Sequence, residues 1–97
     1  MAKKDFDLKM NERLSLFKLL ADRNRYRCVV LLMRSKTGGS VRTIAEALNM
    51  SHSSTSHLLA VLHDAGIVMY KKSGREVSYS LAKTPQAKRV IKLVQAS

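Results

Sequence analysis

At 97 residues the chain has the length of one small domain, and a 45% content of hydrophobic residues excludes a disordered tail, so we expect residues 1–97 to share one modest core. The 18 lysines and arginines against 7 acidic residues give a formal charge of +11, which predicts an anionic partner, most often a nucleic acid, and leaves a solubilising surface or a ribosome-associated protein as alternatives. The longest uninterrupted apolar run, residues 28–33, is far too short to cross a membrane.

The first third of the chain has the periodicity of two consecutive helices. The apolar stripe of the first helix consists of Met10, Leu14, Phe17 and Ala21. Asp22 is the predicted N-cap of the second helix, so the first helix is expected to end there. Apolar residues occupy nearly every side of the second helix between residues 26 and 33, which predicts a central, buried helix.

A third and a fourth helix follow, joined by a very short connection. The Gly-rich segment 35–40 is predicted to be a loop, and Ser40 to cap the third helix. Ser51 is the predicted cap of the fourth helix, and Gly66 its stop. A connection of about three residues between two helices is typical of a helix-turn-helix corner.

After Gly66 the apolar period changes from helical to alternating, which predicts a β-hairpin over residues 68–81 with its turn at Ser73 and Gly74. Thr84 and Pro85 have the residue types that cap and open a helix, and predict a last helix. The resulting order is four helices, two strands and a fifth helix. It predicts a mainly α fold with a β-hairpin wing, a winged helix-turn-helix.

Four segments of the chain stand out in this order: "LADRNR" (20–25), "IAEALNMS" (44–51), "SSTSHLLAVLHDAG" (53–66) and "GREVSYSL" (74–81). Together they resemble the ArsR/SmtB family of bacterial and archaeal repressors. The sequence departs from the family pattern at Arg23, where proline is usual, at Thr55, where valine is usual, and at Leu58, where a second histidine is usual. The resemblance implies a homodimer built through the first and last helices, whose fourth helix enters the DNA major groove. It also implies that a ligand, usually a metal ion, releases the DNA.

The start of the fourth helix is rich in small hydroxyl side chains, and no charged residue occurs between residues 47 and 63. A helix that enters the major groove needs short leading residues that donate and accept hydrogen bonds, so we expect the stretch 51–57 to face outward to DNA. The candidate base-reading residues are His52, Ser53, Ser54, Ser56 and His57. The candidate contacts to the DNA backbone, from the third helix and the wing, are Arg42, Thr43, Lys71, Lys72 and Arg75. The alternatives are a polar, solvent-facing capping turn for the first set and solvated surface charges for the second.

The residues usual at the family's metal sites are missing. The cysteine pair at the start of the third helix would fall at Ser40 and Arg42, and residues 84–97 contain no Asp, Glu, His or Cys. His52 and His63 would lie about 16 Å apart along one helix, too far to share an ion. We therefore predict no metal and no cofactor. Cys28 is a possible redox sensor, but a small apolar core residue is the favoured interpretation.

These observations predict a sequence-specific regulator of transcription that binds double-stranded DNA, with a dimeric repressor on an inverted-repeat operator as the favoured form. We expect a cytoplasmic location from the single cysteine, no membrane partner, and no enzyme, because no nucleophile–base pair or Gly-rich phosphate loop is present. The sequence assigns no inducer. Two alternatives stay open: a non-specific winged-helix protein of architectural or RNA-binding type, and a protein–protein interaction module that uses the first and last helices.

Overall fold

A computed structural model describes residues 3–35 and 37–96. Within these ranges the elements are α1 (Lys3–Leu20), α2 (Arg23–Arg34), α3 (Val41–Leu48), α4 (His52–Asp64), β1 (Val68–Ser73), β2 (Glu76–Leu81) and α5 (Pro85–Ala96). This order confirms the predicted winged helix-turn-helix. None of the described helices is both long enough and apolar enough to cross a membrane.

Side-chain caps begin four of the helices, at the four residues that the sequence predicts. Each capping oxygen accepts a hydrogen bond from a backbone N–H of the first turn, which is worth about 1 kcal/mol per cap. The pairs are Asp22 with Asn24 (2.9 Å) and Arg25 (3.0 Å), Ser40 with Thr43 (3.1 Å), Ser51 with Ser54 (3.0 Å) and Thr84 with Ala87 (3.0 Å).

The C-terminus of α4 is closed by Gly66, as predicted. Gly66 has a φ of +79° and donates to the carbonyl of His63, while Ile67 donates to the carbonyl of Leu62. This pair of hydrogen bonds is the Schellman arrangement. The hydroxyl of Thr84 donates to the carbonyl of Gly66, so the start of α5 is fastened to the end of α4.

The wing is an antiparallel hairpin in which Val68 pairs with Leu81 and Ser73 with Glu76. Its turn consists of Gly74 and Arg75, one residue later than the sequence predicted, because the positive φ of +63° falls at the first turn position, which Gly74 occupies. The segment 35–40, predicted as a loop, also pairs with the hairpin at one residue. Gly39 and Tyr79 form an isolated antiparallel bridge through two backbone hydrogen bonds of 2.9 Å and 2.7 Å.

The core lies between α2 and α4, closed by α3, the base of the wing and α5. In α2 the prediction of a central helix is confirmed, although its buried side is limited to Cys28, Val29 and Leu32. In α1 the buried residue is Leu16, whereas the predicted stripe faces away from the core, with Met10, Leu14 and Phe17 44–52% exposed. The helix thus contacts its own chain with one side and leaves an apolar stripe uncovered.

Candidate nucleic-acid interface

The corner between α3 and α4 projects the start of α4 away from the core. Asn49 ends α3 in the left-handed conformation, with a φ of +55°. An asparagine adopts this conformation more readily than most residues, because its short polar side chain can hydrogen-bond locally. Met50 then donates to the carbonyl of Ala45, and Ser51 caps α4. The corner holds the first turn of α4 in solvent.

One side of α4 is buried and the opposite side is exposed. The buried residues are Thr55, Leu58, Leu59 and Leu62, which occupy an arc of about 100° on the helix circumference. Opposite them lies what we call the outer face, composed of the exposed residues Ser53, Ser56, His57 and Ala60. Three of the predicted base-reading residues are therefore central to the outer face, while His52 and Ser54 are exposed on its two flanks.

The expectation that all of residues 51–57 face outward is wrong at Thr55. This side chain is completely buried, and its hydroxyl donates to the carbonyl of Ser51 at 2.8 Å. Its spacing to Leu58, Leu59 and Leu62 is i, i+3, i+4 and i+7, the pattern of an inward face. Leu58, which replaces the family's second histidine, is buried in the same arc and is only 7% exposed.

A cleft of about 520 Å³ brings the flanking residues together. Its lining includes Arg42 and Thr43 from α3, His52 from α4 and Arg75 from the wing tip, so residues far apart in sequence meet at one end of the outer face. Glu76 also lines the cleft and reduces its positive charge. The predicted backbone contacts of α3 and of the wing tip thus lie on one surface.

The two wing lysines do not act as a pair. Lys71 pairs with Ser78 and Lys72 with Val77, and successive residues of a strand point to opposite faces of the hairpin. Both side chains are exposed, but a duplex lying against one face of the wing meets only one of them. Lys71 lines a second cavity beside Leu32 and Met33 instead.

Arg42 forms an exposed ion pair within α3. Its Nε lies 3.3 Å from the Oε1 of Glu46, one helical turn along, and the two side chains are 85% and 69% exposed. Such an exposed pair contributes little stability, because water and salt screen it. The guanidinium can therefore exchange the carboxylate for a phosphate at small cost.

Cys28, Ser40 and Arg42, the residues considered for sensing from the sequence, each have a defined environment in the structure. Cys28 is fully buried, and its burial raises the pKa of the thiol to about 11, so the reactive thiolate is scarce at neutral pH. Ser40 and Arg42, which stand where the family has a cysteine pair, are engaged in a helix cap and an ion pair. The described residues contain no group of three or more His, Cys, Asp or Glu side chains placed to hold a metal ion.

The apolar stripe of α1, extended by Phe6 towards the N-terminus, is exposed. Phe6, Met10, Leu14 and Phe17 lie within an arc of about 80° and extend for about 16 Å. Each is 44–53% exposed. Large contiguous apolar surfaces are typical of sites that contact another protein, a membrane or a ligand. Arg89 of α5 donates to Glu12 of α1 at 3.0 Å, which ties the two terminal helices together on the side of α1 away from the stripe.

Comparison with known proteins agrees with this geometry. The family described as "Bacterial regulatory protein, arsR family" matches residues 22–70. A curated relative named transcriptional repressor SmtB homolog, from Synechocystis sp., is 39% identical over 66 residues, which cover 68% of this chain and 48% of the relative. The chain thus spans about half the length of that relative.

Solved structures share the fold over nearly the whole chain. The transcriptional repressor BigR from Xylella fastidiosa superposes with a TM-score of 0.80 at 22% identity, covering 98% of this chain and 92% of that one. A homodimeric winged helix-turn-helix DNA-binding domain from Mycobacterium bovis, named as a possible ArsR-family transcriptional regulator, gives a TM-score of 0.75 at 25% identity. That match covers 99% of this chain and 85% of the other.

Proposed function

Because the chain belongs to the ArsR family of bacterial regulatory proteins, which are DNA-binding regulators of transcription and not enzymes, we propose that it is a homodimeric repressor of sequence-specific type. Its ligand is double-stranded DNA carrying an inverted-repeat operator. The observation that carries this proposal is the outer face of α4, which is exposed, uncharged and rich in hydrogen-bonding groups, beside a basic cleft at one end.

The chemistry of the two surfaces suits different parts of the duplex. The hydroxyl and imidazole groups of the outer face can donate to and accept from base edges, and they are short enough for α4 to approach the floor of the major groove. Arg42, Thr43 and Arg75, together with Lys72, provide contacts to the phosphates, which fix position without reading sequence. His52 stands between the two sets, at the first helical position and in the wall of the cleft.

A second copy of the chain supplies the second half of the operator. The exposed stripe of α1 is the surface that would pair across a two-fold axis, and α5 would contribute to the same dimer. A two-fold dimer presents two recognition helices about 34–36 Å apart, one turn of DNA, and so requires inverted half-sites. The bound dimer would then block access of the polymerase to the promoter. A cytoplasmic location belongs to the same proposal.

The proposal includes independence from metal ions at the family's usual positions. Ser40 and Arg42 offer no thiolate, and the described part of α5 carries no Asp, Glu, His or Cys. Transition-metal sites in proteins are built from such ligands. The curated relative is named as a repressor, and that name supports the repressor role proposed for this chain.

A selection from random duplexes tests the proposal. The purified protein is incubated with the pool at about 150 mM salt, near the physiological ionic strength, and the recovered DNA is sequenced. The expected result is an inverted repeat whose half-sites are centred about 10 base pairs apart. Recovery without a motif would indicate non-specific nucleic-acid binding, and no recovery a protein–protein interaction module. Either result would contradict the proposal. Sedimentation of the free protein is expected to give a dimer.

A further inference from the structure

Ala60 is the apolar member of the outer face. It lies one helical turn beyond Ser56 and three residues beyond His57, so its methyl group stands beside those two side chains in the same row. Asp64 follows one turn later on the same side and is exposed. Its negative charge disfavours approach to DNA, which makes Ala60 the last uncharged residue of the outer face as defined above.

The chemistry of the groove identifies what a methyl side chain can recognise there. Base edges in the major groove present donors and acceptors, and the apolar group among them is the C5-methyl of thymine. Ala60 has no side-chain donor or acceptor, so its contribution to binding is apolar contact. We propose that Ala60 is a specificity-determining residue that contacts the 5-methyl group of one thymine in each half-site, an inference that rests on the proposed function.

The geometry also locates the thymine within the half-site. Ser53 and Ala60 are separated by about 10.5 Å along the helix axis, which equals about three base-pair steps. With α4 lying along the groove, the thymine is expected at the opposite end of the contacted run from the base nearest Ser53. The alternative is that Ala60 is simply a good helix former in an exposed position, which predicts no base preference from this residue.

Replacement of thymine by uracil tests the contact without changing the protein. The duplex recovered most often in the selection is prepared with each thymine in turn replaced by uracil, which keeps the pairing and removes only the 5-methyl group. At one position in the half-site the wild-type protein is expected to bind about fourfold more weakly, the effect of one buried methyl group. Replacement in both half-sites should weaken binding about fifteenfold.

Variants then assign the methyl contact to Ala60. In Ala60→Gly the difference between the thymine and uracil duplexes should vanish. Ala47→Gly is the matched control, because Ala47 is an exposed alanine of α3 in a surface depression of the protein that Tyr26 and Val30 also line. In this variant the difference in affinity between the thymine and uracil duplexes should persist.

An equal uracil effect in Ala60→Gly, or no thymine at which uracil weakens binding by the wild type, would overturn the inference and leave the repressor proposal standing. A selection that enriches no duplex at all would overturn both.

Discussion

Thr55 and Ser51 are joined by a hydrogen bond of 2.8 Å from the threonine hydroxyl to the serine carbonyl, one turn apart at the start of α4. The hydroxyl of Ser51 accepts a second hydrogen bond in the same turn, from the backbone N–H of Ser54. These two contacts, with Thr55 completely buried, decide which side of the hydroxyl-rich stretch faces the core. Because the side of α4 that carries Thr55 packs on the core, the outer face on the opposite side is left exposed.

Thr55→Val is therefore expected to leave operator binding unchanged. Valine has nearly the same shape, and the carbonyl of Ser51 keeps a hydrogen bond from the backbone N–H of residue 55 at 3.0 Å. The free energy of unfolding, measured in urea, should change by less than about 1.5 kcal/mol. A folded Thr55→Val protein that no longer binds the operator would place Thr55 in the interface and contradict the assignment of faces.

His57→Ala is expected to weaken binding to the operator by about 1–3 kcal/mol and to leave binding to random duplexes nearly unchanged, because a base contact carries sequence choice. Ser56→Ala should act in the same sense. Lys72→Ala is the matched control from the wing, and it should weaken both kinds of duplex alike and reduce the salt slope by about one. Equal losses on both duplexes for His57→Ala would remove its base-reading role.

Gly38→Ala should destabilise the fold far more than Gly74→Ala, although both glycines have positive φ. A Cβ at Gly38 would lie 2.0 Å from the carbonyl oxygen of Tyr79, whereas a Cβ at Gly74 meets nothing within 4 Å. Thermal unfolding should show a loss of about 1 kcal/mol for Gly74→Ala, the cost of the left-handed conformation, and more than about 3 kcal/mol for Gly38→Ala. Similar losses in the two variants would mean that the loop moves freely away from β2.

Phe17→Glu should convert the dimer to a monomer, because a charge placed on the apolar stripe of α1 cannot be buried without a partner of opposite charge. Operator affinity should fall at least about 100-fold, since one half-site contact is lost. Leu8→Glu is the matched control on the same helix. Leu8 is 56% exposed but lies about 160° or more from Phe6 and Phe17. Sedimentation should show a monomer for Phe17→Glu and a dimer for Leu8→Glu. If Phe17→Glu remains a dimer, the stripe of α1 is not the dimer interface.

The buried thiol of Cys28 predicts a loss of stability at alkaline pH. Its pKa is raised from 9.0 to about 11, so above pH 9 the unfolded chain releases the proton while the folded chain keeps it. The free energy of unfolding therefore falls as pH rises from 9 towards 11, by up to about 2–3 kcal/mol. Urea unfolding at both ends of this range should show the fall, and Cys28→Ala should lack that part of it. An identical pH profile in Cys28→Ala would contradict the burial effect.

The elements were predictable from the sequence because their signals are local. A cap such as Ser51 acts on a residue three positions away, and Gly66 stops the helix that ends directly before it. The inward position of Thr55 was present in its spacing to the leucines, but its polar side chain argued for the surface. The bridge between Gly39 and Tyr79 could not be predicted, because it joins backbone groups of distant residues and requires no particular side chain.

In the candidate site, too, some features were predictable from local sequence and others depend on the tertiary structure. The exposed residues at the start of α4 follow from helical period and composition, and the structure adds Ala60, whose apolar side chain gave no signal of a contact with DNA. The cleft that unites Arg42, His52 and Arg75 depends on how the wing folds back beside α3, which is a tertiary relationship. The opposite orientation of Lys71 and Lys72 follows from the alternation of side chains along any strand, whereas the register of the hairpin decides which face each lysine occupies.

The most direct test of the central claim is a comparison of two dissociation constants at about 150 mM salt. One is measured for the selected inverted-repeat duplex, and the other for a scrambled duplex of the same length and base composition. The account predicts that the inverted repeat binds at least about 1,000-fold more tightly, the ratio typical of specific regulators. Dissociation constants within a few-fold of each other would contradict it, because α4 would then hold DNA without reading its bases.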